Sequence, residues 1–133
     1  MKKVMCFGTF DGFHLGHEFY LKESKKHGDY LVVVVARDET VLQVKGRMPK
    51  RKLAERISEI EKAKIADKVI PGNPGDKLKV VVEEKPNVIC LGYDQTSFTD
   101  GLKTKLEAID VKAEIVRIGS LDPHLNKSSL IDK

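Results

Sequence analysis

Residues 30–36 read YLVVVVA, and no polar side chain interrupts the run after Tyr30. A strand with one face in water alternates apolar and polar residues; a strand this uniformly β-branched is covered on both faces, as in a parallel sheet packed between helices. The neighbouring segments fit that frame. Upstream, Val4 to Phe7 reads as a short buried strand, and the stretch from about Leu15 to His27 has helical length, with Phe19, Tyr20 and Leu21 among polar partners and Gly28-Asp29 as its stop. Downstream, a helix is expected from about Lys52 to Lys64, with Leu53, Ile57 and Ile60 on one side, and then a short strand at 68–70 before the breaker PGNPG. Residues 76–85 read as a helix capped by Asp76 and ended by Pro86, 87–92 (NVICLG) as a strand, 102–109 as a helix, 113–118 (AEIVRI) as a fifth strand and 128–133 (SSLIDK) as a last helical turn. Strands alternating with helices of this length predict an α/β fold: one Rossmann-like, doubly wound domain over residues 1–133 with an approximately five-stranded parallel sheet.

Composition agrees with a single packed domain, since 41% of the 133 residues are hydrophobic. Cys6 and Cys90 lie inside apolar runs (VMCF and VICLG), where a thiol acts as a small buried hydrophobe. No disulfide framework, signal peptide or membrane span is expected, and a reducing, cytoplasmic setting is the reading. The net charge of +4 arises from 24 basic and 20 acidic residues, so most charge is mixed over the surface. Lys45, Arg47, Lys50, Arg51 and Lys52 cluster, which suits either a solvated loop or an anion site. Five phenylalanines and three tyrosines without a stacking or groove-reading motif give no reason to expect nucleic acid as a partner.

The chemistry concentrates in residues 6–17, CFGTFDGFHLGH, directly after the first strand. In doubly wound sheets ligands bind beyond the carboxyl ends of the strands, where the strand order reverses, so the loop after strand 1 and the loop after Gly92 are expected to meet there. A helix beginning near Phe13 or His14 offers unpaired N–H groups and a positive dipole end to an anion. Gly8 permits a tight turn, and Gly16 lacks the Cβ that would keep a nucleotide away. His14 and His17, three apart, share one helical face and suit hydrogen bonding to phosphate oxygens. Two other readings stand beside this one. The pair suits metal ligation, although a zinc site needs a third ligand and the other histidines are His27 and His124; or both are ordinary surface residues.

GTFDGFHLGH resembles the G-T-F-D-x-x-H-x-G-H signature of the cytidylyltransferase-like branch of the nucleotidyltransferase superfamily. VARDETV (35–41), KGR-P (45–49), LGYDQTSF (91–98) and VRI (116–118) look most like the archaeal FAD synthases. The resemblance implies attack of an acceptor phosphate on the α-phosphate of a nucleoside triphosphate with release of pyrophosphate: ATP plus FMN gives FAD. It also implies the roles of individual residues. His14, His17 and Lys45 are the catalytic candidates, with His17 on the α-phosphate and Lys45 on a mobile loop that neutralises phosphate charge. Gly8, Thr9, Phe10, Asp11, Leu15 and Gly16 complete the nucleotide-binding turn, Thr9 touching a phosphate and Phe10 lining the adjacent pocket. Arg56 would reach the triphosphate or the acceptor, Asp94 and Gln95 the base and ribose, and Lys127, Ser128 and Ser129 the outer phosphates, in place of the serine/threonine-rich motif usual in the branch. Mg²⁺ would arrive on the nucleotide rather than in a protein cage, and a homodimer is the assembly expected.

The same opening motif occurs in glycerol-3-phosphate cytidylyltransferases, which also share GDYLVV (28–33), so CTP with an alcohol phosphate is an alternative, as is ATP with a sugar phosphate such as heptose 1-phosphate. A nucleotide-binding regulator without turnover is the non-enzymatic alternative.

Overall fold

The computed structural model describes residues 1–73, 78–92 and 101–119. Five strands form one all-parallel sheet: β1 (Lys3–Gly8), β2 (Tyr30–Val35), β3 (Lys68–Pro71), β4 (Val88–Gly92) and β5 (Glu114–Ile118), in the order β3-β2-β1-β4-β5. The helices are α1 (Leu15–Lys25), α2 (Asp38–Lys45), α3 (Leu53–Ala63), α4 (Lys79–Glu84) and α5 (Leu102–Ala108).

Alternation along the central strands explains why YLVVVVA has no polar face. Val4 and Cys6 of β1, Leu31, Val33 and Val35 of β2, and Val88 and Cys90 of β4 pack on one side, against Leu21 of α1 and Ile60 of α3. Met5, Val32, Val34, Ile89 and Leu91 point to the other side, onto Val80 and Val81 of α4 and Leu102 and Leu106 of α5. Each face thus has its own helices, and burying one such aliphatic side chain contributes about 1.5–3 kcal/mol. The strand starts are tied by side chains: Asp29, Asn87 and Asp67 accept from the backbone N–H groups of Lys2, Lys3 and Leu31. Cys6 and Cys90 face each other across the β1–β4 register as buried free thiols. Burial pushes the thiol pKa of both up, that of Cys90 to about 11, which keeps them unreactive.

The expected doubly wound parallel sheet is therefore observed, with two local differences. The helix α2 was not anticipated; it is set by Asp38 and Glu39 in its first turn and by Gly46, whose left-handed conformation (φ 76°) ends it. The last helix expected, at 128–133, lies outside the described residues, as do residues 76 and 77 at the start of the helix expected over 76–85.

The strand order reverses between β1 and β4. Pairing of β1 with β2 runs to Gly8 and Val35, but pairing with β4 stops at Cys6 and Cys90, so the two strands part at Phe7. Tyr20 of α1 fills that fork. Its hydroxyl accepts from the Phe7 N–H (3.3 Å) and lies 3.0 Å from the carbonyls of both Phe7 and Cys90, between which its single proton is shared. Burial pushes the phenol pKa well above its ordinary value, so Tyr20 remains a neutral donor. Tyr20→Phe leaves these backbone groups short of a partner and should lower unfolding stability by about 1–3 kcal/mol in urea titrations; an unchanged midpoint would show that the fork is held by packing alone.

Candidate active site

The loop leaving β1 is shaped by packing before any ligand is considered. Gly8 has no Cβ because one would sit 2.7 Å from Cε2 of the Phe10 ring, which folds back over it. Phe10 adopts a left-handed backbone (φ 54°), is 2% exposed, and packs edge-on to His17 and stacked on Tyr20. Phe10, expected beside the nucleotide pocket, is buried here and supports His17. The sharp reversal continues at Gly12 (φ 88°).

The two histidines start α1. His14 is the N-cap: its Nδ1 accepts from the Gly16 N–H at 3.0 Å, and the His17 Nδ1 accepts from the His14 N–H at 3.3 Å. This reciprocal capping box is built from two imidazoles in place of the usual hydroxyl and carboxylate. A Cβ on Gly16 would stand 2.9 Å from the His14 ring, so Gly16 makes room for the cap as well as for a ligand. The rings stack at 3.8 Å between centroids. Because a backbone N–H can only donate, Nδ1 of each ring is the acceptor, and the proton of each neutral imidazole sits on Nε2. Two Nε2–H donors are thereby fixed at the positive end of a helix, which suits an anion. Ligation of a metal through Nδ1 is incompatible with this arrangement, and among the described residues no group of three His, Cys, Asp or Glu side chains gathers.

Asp11 and Arg56 join this loop to the rest of the sheet mouth. The Asp11 carboxylate accepts from the backbone N–H groups of Lys50 (2.8 Å) and Arg51 (2.9 Å). The Lys50 hydrogen bond is the main reason its carboxyl is held below the usual range. Arg56, on α3, has no exposed surface; it donates to the carbonyls of Arg51, Thr9 and Ala36 and pairs with Asp38 at 2.6 Å. Both residues were expected on the nucleotide. In this geometry Arg56 is committed to three carbonyls and one carboxylate, and Asp11 to two amides, contacts that shape the mouth of the site.

The remaining candidates fall as follows. Thr9 lies between β1 and the Phe10 turn, half-buried, its carbonyl held by Arg56. Leu15 is 63% exposed on the first turn of α1. Lys45 is the last residue of α2, exposed, and so sits on a helix end rather than the loop expected, because the helix stop is Gly46. Asp94, Gln95, Lys127, Ser128 and Ser129 lie outside the described residues. Two residues were not singled out for the site, Arg51 beyond its place in the basic cluster and Glu59 at all. Glu59 accepts from the Phe13 N–H at 3.2 Å and pairs with Arg51 at 3.1 Å. Only the basic run hinted at Arg51; Glu59 meets Phe13 from 46 residues away and left no local signal.

The Asp11 clasp makes a pH prediction. A carboxyl whose folded pKa is lowered adds stability that is present above its unfolded value and lost as pH falls through the folded value. Amide exchange at Lys50 and Arg51, corrected for intrinsic rates, should therefore accelerate on acidification below the ordinary carboxylate range. Asp11→Ala should show that faster exchange already at neutral pH, together with faster tryptic cleavage at residues 50–52; unchanged protection would show that the clasp does not hold this segment.

Comparison with known proteins agrees with this architecture. The family model described as Cytidylyltransferase-like matches residues 5–131. A protein named FAD synthase from Thermoplasma volcanium is 46% identical over all of this chain and 93% of its own length, and one of the same name from Thermoplasma acidophilum is 47% identical with the same coverage. A crystal structure from Thermoplasma volcanium GSS1, described as a lipopolysaccharide core biosynthesis protein, superposes with a TM-score of 0.86 at 46% identity, covering 92% of this chain and 99% of that one. No helix among the described residues is long and apolar enough to cross a membrane. A histidine-capped helix at the reversal point of a parallel sheet, a family match along almost the whole sequence and relatives near half identity lead to one conclusion: the chain belongs to the cytidylyltransferase-like family and is a nucleotidyltransferase.

Proposed function

We propose that the protein is an FAD synthase, transferring AMP from ATP to FMN. The observation that carries the chemistry is the imidazole capping box, in which both rings accept through Nδ1 and so carry their proton on Nε2 at the start of α1. An FMN phosphate oxygen forms a bond to the α-phosphorus while the bond to the α–β bridging oxygen breaks, and pyrophosphate leaves with that electron pair. The acceptor oxygen is already anionic at neutral pH, so the protein's task is to align two anions and to hydrogen-bond the oxygens on which charge accumulates. His17, seated on Phe10 and Phe13, is the donor for the α-phosphate, and His14 for the rest of the chain. Lys45 and the outer-phosphate candidates Lys127, Ser128 and Ser129 complete the proposed set, with Asp94 and Gln95 for the base and ribose. A divalent cation, Mg²⁺ in this reading, enters on the triphosphate and supplies charge neutralisation. The choice of FMN and ATP rests on the relatives named FAD synthase.

A second reading takes a sugar phosphate as acceptor, favoured by the description of the Thermoplasma volcanium structure. Both are tested by pyrophosphate release with Mg²⁺, crossing ATP and CTP with FMN, a sugar phosphate and glycerol 3-phosphate. Release with ATP and FMN, with FAD formed, is expected. Release only with another pair would replace the substrate, and silence with every pair would favour a binding protein without turnover.

Because His17 also serves the cap, His17→Gln is the informative variant: the amide oxygen can accept from the His14 N–H while the imidazole is lost. Turnover should fall by about 10²–10³, with unfolding stability lower by no more than about 1 kcal/mol. Parallel losses in both would overturn the role given to His17.

A further inference from the structure

We infer that Arg51 is a further substrate-binding residue, holding the outer phosphates of the nucleotide at the Gly12 edge of the loop. The inference deepens the transferase reading and rests on it. Arg51 precedes α3, and its guanidinium reaches the β1–α1 loop: Nη1 lies 3.0 Å from where a Cβ on Gly12 would stand. Gly12 is doubly constrained, by its left-handed φ of 88° and by this guanidinium, so the loop is open there only to a residue without a side chain.

Three contacts fix the arginine. Its N–H is held by Asp11 (2.9 Å), its carbonyl by the Nε of Arg56 (3.0 Å), and its Nε by Glu59 (3.1 Å). Glu59 at the same time accepts from the Phe13 N–H at 3.2 Å, so one carboxylate sets both the guanidinium and the residue preceding the His14 cap. The Nη groups have no acceptor among the described residues, and the side chain is 43% exposed. A guanidinium anchored through Nε and open through Nη is suited to charge-assisted, two-point binding of phosphate.

Charge decides why this residue matters. A triphosphate brings several negative charges. The two imidazoles, with Nδ1 accepting from backbone, act as neutral donors, and the Arg56 cation is buried on carbonyls and Asp38. Arg56 meets the GTFDG loop at the Thr9 carbonyl but is fully buried, whereas Arg51 reaches the same loop at Gly12 with its side chain 43% exposed.

The experiment compares wild type, Arg51→Gln and Arg51→Lys in steady-state assays with ATP and FMN, with pyrophosphate as product inhibitor, and in calorimetric titration with pyrophosphate alone. Arg51→Gln should raise KM for ATP and the dissociation constant for pyrophosphate by about tenfold, with KM for FMN changed less than twofold. Arg51→Lys should recover part of the loss, and it carries the test if the glutamine variant does not fold. Unchanged ATP and pyrophosphate constants, or a rise confined to FMN, would overturn the assignment. A wild type inactive with ATP and FMN would instead count against the FAD synthase reading, while the pyrophosphate titration still reports on Arg51.

Discussion

The mouth of the site depends on a cation that has no contact with water. Arg56 gathers the ends of three segments that are distant in sequence: Thr9 after β1, Ala36 after β2 and Arg51 before α3, and it pairs with Asp38 at the start of α2. A buried guanidinium is tolerated only when its N–H groups are satisfied, and removing a partner from such an ion typically costs about 3–5 kcal/mol. Backbone carbonyls beyond the last sheet hydrogen bonds would otherwise point into a poorly solvated crevice with no donor. Arg56 supplies those donors, and in doing so fixes where the β1–α1 loop begins. Asp11 repeats the device in reverse, a carboxylate meeting two amides of the opposite segment.

This arrangement shows which residues build the mouth of the site. Arg56, Asp11, Phe10 and Tyr20 are charged, polar or aromatic residues occupied with the protein's own backbone and rings. His14 and His17 cap α1, each ring accepting a backbone N–H through Nδ1. A capping box made of histidines thus sets the tautomer of both rings, with the proton on Nε2. Gly16, whose position suggested room for a nucleotide, gives its first allowance of space to His14, and Gly8 gives its own to Phe10.

Much of the fold was legible because it follows from local patterning. The continuous apolar runs at 30–36 and 87–92 required cover on both faces, and with helices between them only a parallel, doubly wound sheet provides it. The place expected for the site rests on the same topology, since the run GTFDGFHLGH leaves β1, where the strand order reverses. The helix α2 escaped because eight residues with several β-branched members carry too weak a period to compete with the basic run beside it.

The sequence by itself determined the sheet, the identity of the histidine pair and the family they indicate, because strand burial, glycine spacing and a short motif are encoded by neighbours in the chain. Tertiary structure alone decided which charges are spent and which are presented. Arg51 and Arg56 are five residues apart and chemically identical, yet one is sealed beneath Thr9 and Ala36 while the other is propped by Glu59 against Gly12. That difference is set by partners from 18 to 47 residues away, by Glu59 two turns further along, and by burial, which local patterning does not specify.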